Sequence, residues 1–164
     1  MEQIFQWLYD TPLADAIREN GVLFPWIESV HVLALTLVVG SIFIVDLRLV
    51  GVAWRNRAIS KLSEEILPFT WTAFVLAAIT GLLLFASNAV KYTHNIFFLS
   101  KMALLVLAFL NMLVFQYITS RGIESWDVAP RVPASVRLAG FISLAVWIAI
   151  IACGRWIGFT MSAF

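Results

Sequence analysis

The sequence predicts an all-α integral membrane protein, an antiparallel bundle of four transmembrane helices preceded by a short amphipathic segment. Three observations favour this fold class. Of the 164 residues, 62% are hydrophobic, and the mean hydropathy is +0.92, whereas soluble domains are roughly 45–50% apolar. The apolar residues fall into four runs of about the ~20 residues that a hydrocarbon core requires. Seven Trp and 13 Phe fit the aromatic belts of a membrane protein.

The four predicted spans must be helical, because lipid offers the backbone no hydrogen-bond partners. Short connections make consecutive helices antiparallel. Ser135, which follows Pro133, is expected to cap the last helix. No second domain is indicated, so residues 1–164 are expected to form one membrane domain. The predicted spans are residues 26–49, 68–90, 95–120 and 136–159.

Residues 2–20 are amphipathic, and they are too short and too charged to cross a bilayer. Asp10, Thr11 and Pro12 are typical of a helix start with proline at its first position. We expect this segment to lie along the membrane surface.

The distribution of positive residues predicts the orientation of the chain. Lys and Arg concentrate in the first and third connections, and such residues favour the cytoplasmic side. Both termini are therefore expected outside. The positive residues of the two connections are Arg48, Arg55, Arg57 and Lys61, and Arg121, Arg131 and Arg137. The other side has Arg18, Lys91 and Arg155.

Several function classes find no support in the sequence. A net charge of only +1 gives no footprint for nucleic acid. There is no glycine-rich phosphate loop, metalloprotease motif or nucleophile elbow. Cys153 is the single cysteine, so an internal disulfide is excluded, and its apolar surroundings favour a packing role over a reactive thiol.

His31 is the main candidate for a functional residue, because it lies inside the first span and an ionisable group at membrane depth is costly. Histidine is a common axial ligand of haem iron. Glu28 lies three residues earlier on the same helix face, where it is expected to accept the proton of the ring nitrogen that faces away from a metal. The alternatives are an interhelical hydrogen bond for His31 and a solvated interfacial carboxylate for Glu28.

Three further residues are predicted near His31, in the outer half of the bundle. His94, the only other histidine, is a candidate second iron ligand or an ordinary interfacial residue. Lys101 follows seven residues later, and it is expected to bind a propionate or another anion, to coordinate a metal, or to snorkel outward. Arg155 is expected to meet the same propionates through its planar fork, or to be an ordinary interfacial arginine.

Asp46 and Arg48 end the first span. Two residues apart on a helix, they do not face each other, so each is expected to pair with a different neighbour. Their predicted roles are structural.

Motifs in all four spans resemble those of a family of small bacterial four-helix membrane proteins of unknown function. The first span contributes Glu28-x-x-His31, Gly40 and Asp46-Leu47-Arg48-Leu49. The others contribute Thr80-Gly81, Asn95-x-x-Phe98-x-x-Lys101 and Gly154-Arg155.

That family is similar in layout to the membrane part of copper-resistance protein D and to HemJ-type protoporphyrinogen oxidase. The latter resemblance implies that His31 is an axial ligand of a b-type haem, and that Lys101 is the second ligand or positions the porphyrin. His94 has no counterpart in the family pattern. Gln116 stands where the relatives often have a histidine, which argues against a second haem.

We therefore expect a b-type haem protein of the bacterial inner membrane, with one haem toward the outer face. It would transfer electrons with a quinone or a periplasmic redox partner. The alternatives are a HemJ-like porphyrinogen oxidase, and a non-haem copper-handling or scaffold protein in which His31, Glu28 and Lys101 form a hydrogen-bond network. The sequence leaves the oligomeric state open, with a homo-oligomer among the alternatives.

Overall fold

The structure of the protein is a computed structural model that describes residues 2–119, 121, 123, 126–128 and 132–162. The described residues form helices and turns, with no strand among them. The α-helices of this part of the chain are α1 Glu2–Tyr9, α2 Pro12–Glu19, α3 Leu23–Val50, α4 Ile59–Ser87, α5 Ala89–Thr93, α6 Ile96–Val114 and α7 Ala134–Ser162.

Four helical segments are long and apolar enough to cross a membrane, which confirms the predicted fold class. The third segment combines α6 with most of a π-helical turn, Phe115–Thr119, that continues it. The four segments are Leu23–Val50, Ile59–Ser87, Ile96–Ile118 and Ala134–Met161. The protein is therefore an all-helical, multi-pass membrane protein.

Helices α3 and α7 extend beyond the predicted spans at both ends, because hydropathy marks the part of a helix that fits the lipid and not the turns beyond it. The second span ends at Ser87 instead of residue 90, and the third covers Ile96–Ile118 instead of residues 95–120. The largest difference is in α4, which begins at Ile59 and carries Pro68 inside the helix. The prediction that Ser135 caps the last helix is wrong, since α7 already begins at Ala134. Ser120 and Arg131, which the sequence analysis placed in the third span and the third connection, lie outside the described residues.

The amino-terminal segment is a pair of short helices that packs against the bundle. As predicted, α2 starts with Pro12 after Thr11, whose hydroxyl accepts a hydrogen bond from the Ala14 amide. Arg18 donates hydrogen bonds to Tyr9 O at 2.8 Å and to Ser87 O at 3.1 Å. The hydrogen bond to Ser87 O joins α2 to the end of α4.

The four spans do not pack equally against one another. The extensive contacts are between α3 and α4, between α3 and α7, and between α6 and α7. A core of small and apolar side chains lies between them, formed by Val38, Val39, Ala73, Val146, Trp147 and Ile150. All residues of α6 are described and none is buried. Since no comparable contact joins α4 and α6, the α6 helix packs on the bundle mainly through α7.

The first and third connections meet at the same end of the bundle, through Arg48 and Asp127. The Arg48 side chain is 1% exposed and donates to Arg57 O at 2.8 Å and to Asp127 O at 3.0 Å. The Asp127 carboxylate accepts from Ser60 N at 2.8 Å and from Ser60 Oγ at 2.5 Å. Since Ser60 lies in the first turn of α4, Asp127 caps this helix from a distant part of the chain.

We expect Asp127→Ala to lower the stability of the protein by about 0.5–2 kcal/mol, as the loss of a helix cap does. Burial opposes ionisation of Asp127, but the hydrogen bonds from Ser60 and the charge of Arg48 outweigh it and hold its pKa below the ordinary value. A lowered pKa gives stability that is present above the ordinary aspartate pKa of about 4 and is lost as the pH falls through the folded-state value.

Thermal unfolding in detergent as a function of pH measures this effect, with Glu64→Gln as the matched control for an exposed carboxylate at the start of α4. The difference in unfolding temperature between wild type and Asp127→Ala should become smaller at acidic pH. An equal difference at all pH values would contradict the role of the carboxylate.

Candidate functional site

The His31 side chain lies between α3 and α4 and is partly buried. Its Nδ1 atom is 2.9 Å from Ala77 O and 3.0 Å from Thr80 Oγ1. A carbonyl oxygen only accepts hydrogen bonds, so Nδ1 carries the proton and donates. In the neutral ring, the lone pair is then on Nε2.

The surface of α4 is shaped to receive this ring. The Thr80 hydroxyl donates to Leu76 O at 2.7 Å, so its oxygen remains an acceptor for His31. Gly81 lies against the ring, and a Cβ atom at this position would be 3.0 Å from His31 Cε1. The Thr80-Gly81 pair therefore supplies both a hydrogen-bond acceptor and the space that the imidazole occupies.

Glu28 does not accept the Nδ1 proton of His31, which was its predicted role. The Nδ1 atom of His31 is bonded across the helix interface to Ala77 and Thr80, whereas Glu28 is exposed. Burial raises the pKa of Tyr92, and the negative charge of Glu28 raises it further. The charge of Glu28 thus acts on Tyr92 of α5 and not on His31.

Lys101 lies inside the bundle, against α7. A Cβ atom at Gly154 would be 3.7 Å from its Nζ atom. Asn95 Nδ2 donates to Thr160 Oγ1 at 2.8 Å, and Lys101 and Gly154 each lie six residues deeper on the same two antiparallel helices. The amine therefore stays near the depth of its own backbone, which does not correspond to snorkelling.

Lys101 forms no ion pair with a carboxylate within the described part of the chain, where the ion pairs join Arg18 to Asp15 and Arg57 to Glu65. Lys101 interacts electrostatically with the Cys153 thiol of α7 and with His31. Two basic side chains from different helices thus act on each other, and neither is paired with a carboxylate among the described residues.

The structure places His94 and Arg155 apart from this pair. His94 is exposed at the end of α5, donates from Nδ1 to Val90 O at 2.8 Å, and has no described contact with His31. Arg155 is exposed, and its guanidinium lies over the Phe159 ring at 4.6 Å. His94 also lines a surface cavity of about 310 Å³ with Lys91, Asn95, Thr160 and Met161.

Sequence reasoning missed an aromatic cluster at the end of the bundle where α1 packs, formed by Phe5, Phe85, Tyr92 and Phe98. The Phe85 and Phe98 rings stack at 5.3 Å with an angle of 9° between their planes. The Tyr92 ring lies 5.2 Å from the Phe98 ring, and Phe5 packs edge-on against Phe85 at 6.0 Å. The cluster bridges α4 and α6 one helical turn from Lys101, toward the start of α6. Its members come from distant parts of the chain, so no local pattern indicated it.

We expect Gly81→Ala to displace the His31 ring, because the added methyl group would lie 3.0 Å from Cε1. The protein has two histidines, so ¹⁵N-labelled histidine gives a simple NMR spectrum in which tautomers are distinguished. In the wild type, we expect neutral His31 with its proton on Nδ1, and in Gly81→Ala a mixture of tautomers or a shifted signal.

Gly40→Ala is the matched control, since a Cβ atom at Gly40 meets nothing within 4 Å. It should leave the His31 signals unchanged. A wild-type spectrum with the neutral ring protonated on Nε2 would contradict the Ala77 hydrogen bond.

The comparison with known families gives one match. A model of a family of unknown function, DUF6644, matches residues 5–160. No curated protein and no solved structure matches the chain. Because the match includes all four membrane-spanning helices and the His31 and Lys101 positions, the chain belongs to the DUF6644 family of unknown function.

Proposed function

We propose that the protein binds a b-type haem in the membrane, with Nε2 of His31 as an axial ligand of the iron. The observation that supports this most is the hydrogen bond from Nδ1 of His31 to Ala77 O. Histidines that bind metals usually donate their other ring N–H to a carbonyl or carboxylate, which fixes the tautomer and the ring orientation.

The charge of the residues near His31 fits such a group. Lys101 forms no ion pair with a carboxylate among the described residues, and the propionates of a haem would provide one. A haem bound there would lie on the flank between α4 and α6, which lack the extensive contacts of the other neighbouring spans. Gly81 makes room for the imidazole, and Gly154 makes room for the Lys101 amine.

The proposed roles of the residues follow from these contacts. Ala77 and Thr80 hold the imidazole in the tautomer that leaves Nε2 available. Lys101 would complete the coordination or bind a propionate. The aromatic cluster covers the region from the outer side and excludes water. A bound haem would supply one-electron transfer at its iron.

The membrane and the partners are part of the same proposal. The positive residues of the first and third connections support a bacterial inner membrane with both termini periplasmic. The His31 region would then face the outer leaflet, within reach of a quinone or a periplasmic redox protein. The resemblance of His31 and Lys101 to the functional pair of HemJ-type protoporphyrinogen oxidase supports a porphyrin ligand as well.

A second candidate function is a scaffold in which His31 only joins two helices. The bond to Ala77 O favours this alternative too, since interhelical hydrogen bonds in membranes contribute about 0.6–2 kcal/mol. In that case Nε2 would have no ligand, and the buried imidazole would serve the packing of α3 on α4.

The absorption spectrum of the purified protein tests the proposal. We expect a Soret band in protein expressed with sufficient haem, and its loss in His31→Ala. His94→Ala is the matched control, because His94 is exposed and outside the His31 region, and it should retain the band. Lys101→Ala should weaken haem retention or change the spectrum of the bound haem.

Absence of a Soret band in folded wild-type protein after haem supplementation would contradict haem binding. Thermal unfolding of the same variants then tests the scaffold. If His31→Ala lowers the stability of a haem-free protein and His94→Ala does not, the scaffold role is supported.

A further inference from the structure

Asp46 is a buried carboxyl group in the half of α3 that lies away from His31. Fifteen residues separate the two, which is about 22 Å of helix at 1.5 Å per residue. The Asp46 residue is 5% exposed, and Oδ2 has no hydrogen-bond partner. The Ser143 side chain of α7 lies within hydrogen-bonding reach of the carboxyl group. The proposed haem site does not use this residue.

Close contact between α3 and α7 shields Asp46 from solvent. A Cβ atom at Gly140 would be 3.2 Å from Asp46 O and 3.0 Å from Leu49 Cβ. Glycine at this position lets the two backbones approach more closely than a residue with a Cβ atom would. We call this contact, formed by Asp46, Leu49, Gly140 and Ser143, the α3–α7 seam.

The charged groups near the seam that the structure describes are engaged elsewhere or exposed. Arg48, on the same helix, donates to Arg57 O and Asp127 O. Arg137, at the start of α7, is exposed. From α6, the polar group nearest in register is Asn111, which donates to Ala139 O at 3.1 Å. The ion pairs of the described residues lie in α2 and between Arg57 and Glu65.

A carboxylate without a cation is far costlier inside a membrane protein than a neutral carboxylic acid. The neutral acid has the same heavy atoms, and it needs no counter-ion. The seam therefore fits a carboxyl group that carries a hydrogen on one oxygen and accepts the Ser143 hydroxyl on the other.

We propose that Asp46 is a proton-binding site at the end of the bundle where the first and third connections lie. The carboxyl group takes up a proton from water on that side of the membrane, and an O–H bond forms at one carboxyl oxygen. Release of the proton leaves a carboxylate that needs water or a cation, so it requires α3 and α7 to move apart at Gly140. This inference does not depend on haem binding.

Carboxyl-labelled aspartate provides a direct test, because the chain has four aspartates, Asp10, Asp15, Asp46 and Asp127. In the ¹³C NMR spectrum of the full-length protein at neutral pH, we expect three ionised carboxylates and one un-ionised carboxyl. Asp46→Asn should remove the un-ionised signal, and Asp127→Asn should remove an ionised one.

A variant with Asn at positions 10, 15 and 127 keeps Asp46 as the sole aspartate, so its signal is assigned even if Asp46→Asn does not fold. That signal should change reversibly with pH and should not change with Na⁺ at constant pH. Four ionised carboxylates at neutral pH would overturn the proposal, and so would a signal that follows Na⁺ instead of pH.

Discussion

A polar side chain inside a bilayer has only the neighbouring helices to bond to, and this constraint governs how the spans pack. Such bonds join α3 to α4 and α6 to α7, the two helix pairs with the most extensive contact. On α3 and α4, His31 meets Thr80 and Ser41 meets Thr70, ten residues apart on each helix, so the two helices run antiparallel in constant register. The bonds between α6 and α7 are Asn95 to Thr160 and Asn111 to Ala139. Apolar side chains fill the space between these contacts, but lipid competes equally well for them, so the polar pairs fix the register.

The same constraint explains which parts of the fold and the site are predictable from the sequence. Hydropathy identifies the spans because every lipid-facing residue must be apolar, and the cost of charge in oil makes His31 and Lys101 stand out. The hydrogen-bond partners of polar side chains are not predictable in this way. The acceptor for His31 is the backbone carbonyl of Ala77, and a carbonyl gives no signal in the sequence. The cap of α4 is Asp127, 67 residues away from Ser60, so no local pattern could reveal it.

The hydrogen bond of His31 fits both a metal ligand and a packing residue, and the chemistry of imidazole explains why. A ring that donates from Nδ1 to a carbonyl has used one nitrogen and kept the other basic. The first nitrogen joins helices in either case. What separates a ligand from a packing residue is the surroundings of the second nitrogen. Lys101, an amine from another helix, acts electrostatically on the ring and forms no ion pair with a carboxylate among the described residues. The acidic ligand proposed above would give that amine a partner.

The surroundings of the ionisable groups differ between the two ends of α3, where His31 and Asp46 lie. At the His31 end, α4 and α6 meet through the aromatic cluster, and His31 and Lys101 form no ion pair among the described residues. At the Asp46 end, α3 and α7 approach closely at Gly140, and the carboxyl oxygen Oδ2 is left without a partner. The α3–α7 seam thus holds two spans together at one end of the bundle, and the proposed ligand site lies toward the other. A change of charge at Asp46, as proposed above, would act on the packing of α3 against α7.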